Sequence, residues 1–298
     1  MAVDCKSCPL FLSGATNCAG CPETIAIHAI GSVIDKDTVV ANATGCTEIF
    51  STQYPTTAWG VNYIHVAFEN VAAVAAGIEV AFKKMGTRHK KAKIIAIAGD
   101  GGTVDIGLQA LSGMLERGHR VLYIMFDNEA YMNTGIQRSG ATPRYAITTT
   151  SPAGKLMPGN KTWKKPIMDI VAAHQIPYLA SASIGDIPDL QEKVKKALST
   201  DGPSFINIHC PCPPGWRFPS ANTITISQKA IETGMWILYE IENGNLNINK
   251  KPKFTPIKDY LKTQGRFKHL TDKEITEIQK HVHDEYKRLQ KIEKSPTS

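Results

Sequence analysis

The stretch from Lys93 to Thr142, KIIAIAGDGGTVDIGLQALSGMLERGHRVLYIMFDNEAYMNTGIQRSGAT, constrains the fold more than any other part of the chain. An apolar run, Ile94 to Ala98, stops at Gly99-Asp100-Gly101, and a second, Val121 to Phe126, stops at Asp127-Asn128. Short β-branched and apolar runs bounded by Gly, Asp or Asn read as strands buried on both faces of a parallel sheet. Between them Ile106, Leu108, Leu111, Met114 and Leu115 recur at near-helical spacing, and Gly118 is placed to end that helix before the second strand. The pattern predicts strand, helix, strand, with polar groups collected at the carboxyl ends of both strands. In an open parallel sheet those ends are where ligands bind.

Asp100 offers a hard carboxylate and Asn128 an amide oxygen, while the glycines let backbone N–H groups approach an anion. Together they suit Mg²⁺ held with a diphosphate. Gly-Asp-Gly alone often marks only a turn. Followed one strand-helix-strand later by an Asn at a strand end, it resembles the signature of thiamine-diphosphate (TPP) enzymes. The continuation, Asp127-Asn128-Glu129-Ala130-Tyr131-Met132-Asn133-Thr134-Gly135, resembles the 2-oxoacid:ferredoxin oxidoreductases, most closely the TPP-binding beta subunits of the pyruvate-using branch. The resemblance runs to about Ser220 and is strongest from Thr44 to Thr150. It implies that Asp100, Asn128 and the backbone oxygen of Ala130 hold Mg²⁺, and that Gly99, Gly101 and Gly102 approach the diphosphate. It also implies that Thr44 and Gly45 border the cofactor and that Asn133 lies at the catalytic end, beside substrate and thiazolium.

Seven cysteines occur, at 5, 8, 18, 21, 46, 210 and 212. The pairs Cys5/Cys8 and Cys18/Cys21, read alone, suit a four-thiolate zinc site, and soft thiolates serve zinc and iron–sulfur clusters alike. The family resemblance implies instead a four-iron four-sulfur (4Fe–4S) cluster on Cys18, Cys21, Cys46 and Cys212, with Cys210 the reserve candidate beside Cys212. Pro22 departs from the Gly that many members carry after the second cysteine, and Cys5 and Cys8 are extra to the set. Cys46 follows Val40-Ala41-Asn42-Ala43-Thr44-Gly45, a strand running into a turn, so it is expected on the same sheet edge as Asp100 and Asn128.

The 298 residues suffice for one large core or two modest ones. No apolar stretch is long enough to span a bilayer and MAVDCKSC is not a signal-peptide pattern, so a cytoplasmic location with no membrane partner is expected. The formal charge of +7, concentrated after Lys250, suits an acidic protein such as a small ferredoxin; no nucleic-acid motif accompanies it.

Elsewhere the pattern predicts an Ala- and Gly-rich helix over Val71 to Phe82, and His65 stands before it as a possible proton donor or a structural histidine. Arg138 to Lys165 reads as a cofactor-covering loop. Met168 to Ala173 and Pro188 to Leu198 read as helices, Ile176 to Ala180 and Ser204 to His209 as strands. In the Lys-rich tail, Thr271 as N-cap with Glu274 as a capping box, and Leu270 with Ile275 as a staple, open a helix. Its stripe is Ile275, Ile278, Val282, Tyr286 and Leu289, which needs a surface in this chain or a neighbouring one.

The fold class expected is α/β, a mostly parallel open sheet with helices on both faces (the TPP-binding fold) and a helical C-terminal extension. The expected divisions are a Cys-rich cluster-binding segment 1–30, a TPP/Mg-binding domain 31–242 and a basic extension 243–298. The resemblance implies oxidative decarboxylation of a 2-oxoacid to acyl-CoA and CO₂, with electrons passed through the cluster to ferredoxin. It implies activity only with partners: an alpha subunit supplying the Glu that activates the TPP pyrimidine, so that Glu69 is not that group, and gamma and ferredoxin-like delta subunits. Two rival readings are a non-redox TPP decarboxylase or transketolase-like half-enzyme, and a zinc-ribbon scaffold or nucleic-acid module.

Overall fold

The computed structural model describes residues 10–86, 92–155 and 157–295; Cys5 and Cys8, and with them half of the zinc reading, lie outside these. In chain order the first elements are α1 (Pro22–Gly31), β1 (Thr38–Ala43), α2 (Cys46–Ser51), β2 (Asn62–Val66), α3 (Val71–Met85) and β3 (Lys93–Gly99). A π-helical turn, Gly101–Ile106, leads into α4 (Leu108–Glu116), followed by β4 (Leu122–Asp127), α5 (Ile167–Ala172), β5 (Tyr178–Ser183), α6 (Ile187–Ser199) and β6 (Ser204–His209). The chain continues through α7 (Pro213–Trp216), α8 (Thr223–Thr233), β7 (Leu238–Glu242), β8 (Asn245–Lys250), α9 (Ile257–Leu261) and α10 (Asp272–Lys294).

The eight strands form one sheet in the order β2-β1-β3-β4-β6-β5-β7-β8. The first six are parallel to their neighbours and the last two run antiparallel. Period-2 alternation sorts the central strands onto two cores. Ile95, Ile97, Leu122, Ile124 and Phe126 pack with α1 and α6 on one face. Ile94, Ala96, Ala98, Tyr123 and Met125 pack with α3, α4 and α5 on the other. Side chains on both sides leave no polar face, which is why these strands are continuous apolar runs.

The helix expected between β3 and β4 ends as its glycine dictates. Gly118 has φ 69° and donates its N–H to the Leu115 carbonyl, and the next N–H, of His119, reaches the Met114 carbonyl, which is a Schellman cap. Its start differs: Ile106 lies in the π-helical turn and is 56% exposed, so it does not belong to the apolar stripe. Beyond the expected elements lie α1, α2, β2, α7, α8, β7, β8 and α9. Asn62–Val66 is an exposed edge strand, and α1 begins with Cys21 as N-cap and Pro22 at the first helical position, where a missing N–H costs nothing.

β7 and β8 make a hairpin turned at Asn243-Gly244, and the chain beyond it packs on this same fold. Ile275, Ile278 and Val282 of α10 join Trp216, Trp236 and Tyr260 in a third core; Tyr286 and Leu289 cover Ile237, Tyr239, Leu246 and Ile248 in a fourth. The Thr271/Glu274 capping box is present.

Candidate functional site

Because β1, β3, β4 and β6 are parallel and in register, their carboxyl ends share one rim. The chain leaves β1 for the outer strand β2 and returns to β3 on the other side, so the order reverses between β1 and β3. Such a reversal opens a crevice. A cavity there is bordered by Thr44, Gly45 and Cys46 after β1, by Gly99, Asp100, Gly101 and Gly102 after β3, and by Asn128, Ala130 and Asn133 after β4. Asn133 is exposed at the tip of a loop closed by the Tyr131–Gln137 bridge.

Two oxygens on residues bordering this cavity are buried without any hydrogen-bond partner, Oδ1 of Asp100 and Oδ1 of Asn128. Their other atoms are held: Ser139 Oγ donates to Asp100 Oδ2, and Asn128 Nδ2 donates to Glu23 Oε1 at 2.9 Å. Burial, with the charge of Asp127 beside it, pushes the Asp100 carboxyl well above its ordinary range. An unpaired buried carboxylate beside an unpaired amide oxygen fits a cation, which would restore the ionised form. Gly101 is required by contact, since a Cβ there would lie 2.3 Å from the Tyr131 ring. The π-helical turn after Asp100, pinned by Thr103 Oγ1 donating to the Gly99 carbonyl at 2.8 Å, presents these glycines to the cavity. Turns of this kind recur at functional sites.

The thiols gather beside this cavity. Cys46 opens α2, Cys212 caps α7, Cys21 caps α1, and Cys18 is exposed one turn earlier. Burial raises the Cys46 thiol, reinforced by the charges of Glu23, Cys212, Cys21 and Asp100, which places all five groups within electrostatic reach. Burial likewise raises Cys21 to about 11 and Cys212 to about 12, the latter also under the influence of Cys18. Cys46 and Asp100 border the same cavity, as the sequence required. Among the described residues no three His, Cys, Asp or Glu side chains close on a single ion. Cys210 differs from the others: it is fully buried in the apolar core beneath the rim.

His65 sits at the outer edge, 2.8 Å from Thr44 Oγ1 and 3.9 Å from Glu48, with its side chain 43% exposed. Glu69 is exposed. Among its described residues the segment expected over Arg138 to Lys165 is irregular but well bonded, and it reaches the site through Ser139.

Four residues at the site were not singled out in the sequence. Glu23 is buried, accepts from Asn128 and from Thr47 Oγ1 at 2.5 Å, and is held above the usual carboxylate range by burial. Ser139 bonds Asp100. Lys164 bridges Asp127 at 2.7 Å and Glu129 at 2.9 Å, and Arg266 pairs with Glu129. Glu23 follows Cys21 by two positions, where an acidic residue in a first helical turn reads only as a dipole partner.

The thiamine pyrophosphate enzyme, C-terminal TPP binding domain family matches residues 43–208, which defines the class as a TPP-enzyme domain. The chain is 53% identical to pyruvate synthase subunit PorB of Methanocaldococcus jannaschii, over 94% of this chain and 96% of that one. It is 46% identical to ketoisovalerate oxidoreductase subunit VorB of Pyrococcus abyssi, over 95% and 93%. A solved structure, 2-oxoglutarate:ferredoxin oxidoreductase from Magnetococcus marinus with 2-oxoglutarate, coenzyme A and succinyl-CoA bound, shares the fold with a TM-score of 0.57 at 20% identity, over 70% of this chain and 71% of that one. The chain belongs to the TPP-binding beta subunits of the 2-oxoacid:ferredoxin oxidoreductase family, an oxidoreductase of the pyruvate synthase type.

Proposed function

We propose that this chain carries the Mg²⁺–diphosphate half of the TPP site, and one 4Fe–4S cluster, in a heteromeric enzyme that converts a 2-oxoacid, pyruvate first among candidates, and coenzyme A to acyl-CoA and CO₂. The observation that carries the reading is the pair of unpartnered buried oxygens, on Asp100 and Asn128, facing a cavity that Cys46 also borders. Asp100, Asn128 and the Ala130 carbonyl would hold Mg²⁺; Gly99, Gly101 and Gly102 would admit the diphosphate. Thr44, Gly45 and Asn133 would border the thiazolium and substrate. Cys18, Cys21, Cys46 and Cys212 would grip the cluster through soft thiolates.

TPP supplies an electron sink for decarboxylation, and an iron–sulfur centre accepts single electrons. This chain's own residues do the holding. Ser139 and Glu23 fix the other atoms of Asp100 and Asn128, so that each would offer one oxygen to the cation. Cys18, Cys21, Cys46 and Cys212 would ligate the iron as thiolates, so cluster binding would release protons.

An alpha subunit would supply the pyrimidine-activating Glu, gamma and ferredoxin-like delta subunits would complete the assembly, and ferredoxin would take the electrons. The branched-chain relative keeps a second substrate class open, since its name carries ketoisovalerate at 46% identity. Iron analysis, a visible spectrum and a 2-oxoacid panel with a low-potential dye test the reading in the purified complex. Iron-based visible absorbance that bleaches with one 2-oxoacid and coenzyme A supports it. Zinc without iron, or turnover without bleaching, overturns it.

A further inference from the structure

Asn128 and Ala130 border the cofactor cavity, and the residue between them does not. Glu129 has φ 69°, the left-handed region that a non-glycine residue enters only when its surroundings hold it there. Its side chain runs away from the cavity into the protein. There its Oε1 lies 2.9 Å from Lys164 Nζ and its Oε2 2.5 Å from Arg266 Nη2. The two cations are unlike. Lys164 is shared with Asp127 and has a side chain 27% exposed, whereas the Arg266 side chain is 3% exposed against 2% for Glu129.

Arg266 also reaches the same loop by a second route. Its guanidinium carbon lies 3.5 Å from the centroid of the Trp216 ring, and Trp216 Nε1 donates to the Asn128 carbonyl at 2.8 Å. Arg266 therefore braces the residues on both sides of the peptide that joins Asn128 to Glu129. Thr142 Oγ1 takes the next carbonyl, that of Glu129, at 2.7 Å. The arginine is itself fixed, with Nε donating to Gln264 at 2.9 Å and its carbonyl accepting from the Ile147 N–H at 3.1 Å. It stands on a 3₁₀ turn, 265–267, between α9 and α10, well beyond the residues 43–208 matched by the TPP domain family.

We propose that Arg266 is a positioning residue for the cation site: by pairing with Glu129 and backing Trp216 it clamps the left-handed turn that holds Asn128 and Ala130 toward one cavity. The C-terminal extension is thereby part of the cofactor site. The inference rests on the Mg²⁺–TPP reading above. A buried arginine facing a buried carboxylate on a metal-binding loop acts as outer-shell support, and loss of such support typically lowers metal affinity about 10- to 100-fold.

The test uses the purified heteromeric complex, with Mn²⁺ as the probe and saturating TPP, and free Mn²⁺ followed by electron paramagnetic resonance. The expected result is one Mn²⁺ site in the wild type, affinity lowered about tenfold or more in Arg266→Met, and partial recovery in Arg266→Lys, which restores the charge. The melting temperature of the cofactor-free protein is measured alongside. A loss of affinity without a matching loss of folded protein separates positioning from a purely structural role. If Arg266→Met does not fold, Glu129→Gln, nearly isosteric, is expected to show the same loss. Wild-type affinity in whichever variant folds overturns the inference and leaves the Mg²⁺–TPP reading standing. Absence of a TPP-dependent Mn²⁺ site in the wild type overturns both.

Discussion

The crevice rim and the C-terminal helix satisfy their polar groups on opposite terms. Along α10 donors and acceptors close on one another: Thr271 and Glu274 form the capping box, Tyr145 donates to Glu277 at 2.6 Å, and the Ile248 N–H reaches Glu293 at 2.8 Å. At the rim, Oδ1 of Asp100, Asp127 and Asn128 are all buried without a partner, and Glu129 sits in left-handed backbone. A buried acceptor left unpaired costs about 1–3 kcal/mol. The helix is arranged for stability, whereas the rim leaves buried acceptors unpaired and gives up stability there. Substitutions in the two regions should therefore separate binding from folding in opposite directions.

The largest effect is expected at Asp100. Asp100→Asn should weaken Mg²⁺–TPP binding by about a thousandfold or more, measured by titration calorimetry, while the stability of the cofactor-free protein holds or rises by about 1 kcal/mol. A loss of several kcal/mol on denaturant unfolding would erase the contrast between the regions. Leu289→Ala should do the reverse. It removes a side chain 2% exposed in the fourth core and should cost about 3 kcal/mol of stability, with cofactor affinity unchanged.

His209 offers a pH test at the rim. Buried between the Trp216 and Trp236 rings, with Nδ1 unpartnered, it is pulled down to about 3 by burial. Below its ordinary value of about 6.5 the unfolded chain takes up a proton that the folded chain refuses. The stability it contributes above that value is therefore lost as pH falls, by up to about 1.4 kcal/mol per pH unit, until the folded value is reached. The neighbouring carboxylates titrate in part of the same window, so the measurement is the difference between wild type and His209→Gln. Equal slopes would show that the histidine is not held neutral. The smallest effect is expected at Thr271→Ala, about 1 kcal/mol from the lost cap, read by denaturant unfolding with no change in Mn²⁺ affinity.

What was legible in the chain follows from how locally each feature is encoded. β3, β4, β6 and α10 announce themselves through runs or stripes of contiguous residues, and the α10 stripe of Ile275 to Leu289 is buried as its spacing required. The edge strand Asn62–Val66 was missed because only Val66 in it is buried, which leaves no apolar alternation to detect. The π-helical turn was missed because a glycine-rich stretch is compatible with several backbones, and the packing of Tyr131 and Phe68 around Gly101 and Gly102 selects one. Whether α10 would cover its own domain was undecidable from its stripe, since an apolar face specifies that it be covered but not by what.

The sequence by itself determined the chemistry on offer: a hard acid after one strand, an amide after the next, thiols flanking the sheet, and glycines where an anion must come close. Only the tertiary structure decided that Glu23 would reach Asn128 across 105 positions and that Arg266, in the C-terminal extension, would brace Glu129. The reason is physical. A motif is written in consecutive residues, but the partner of a buried charge depends on strand order, on the direction of each crossover and on which loop packs over the rim. Those are properties of the whole fold.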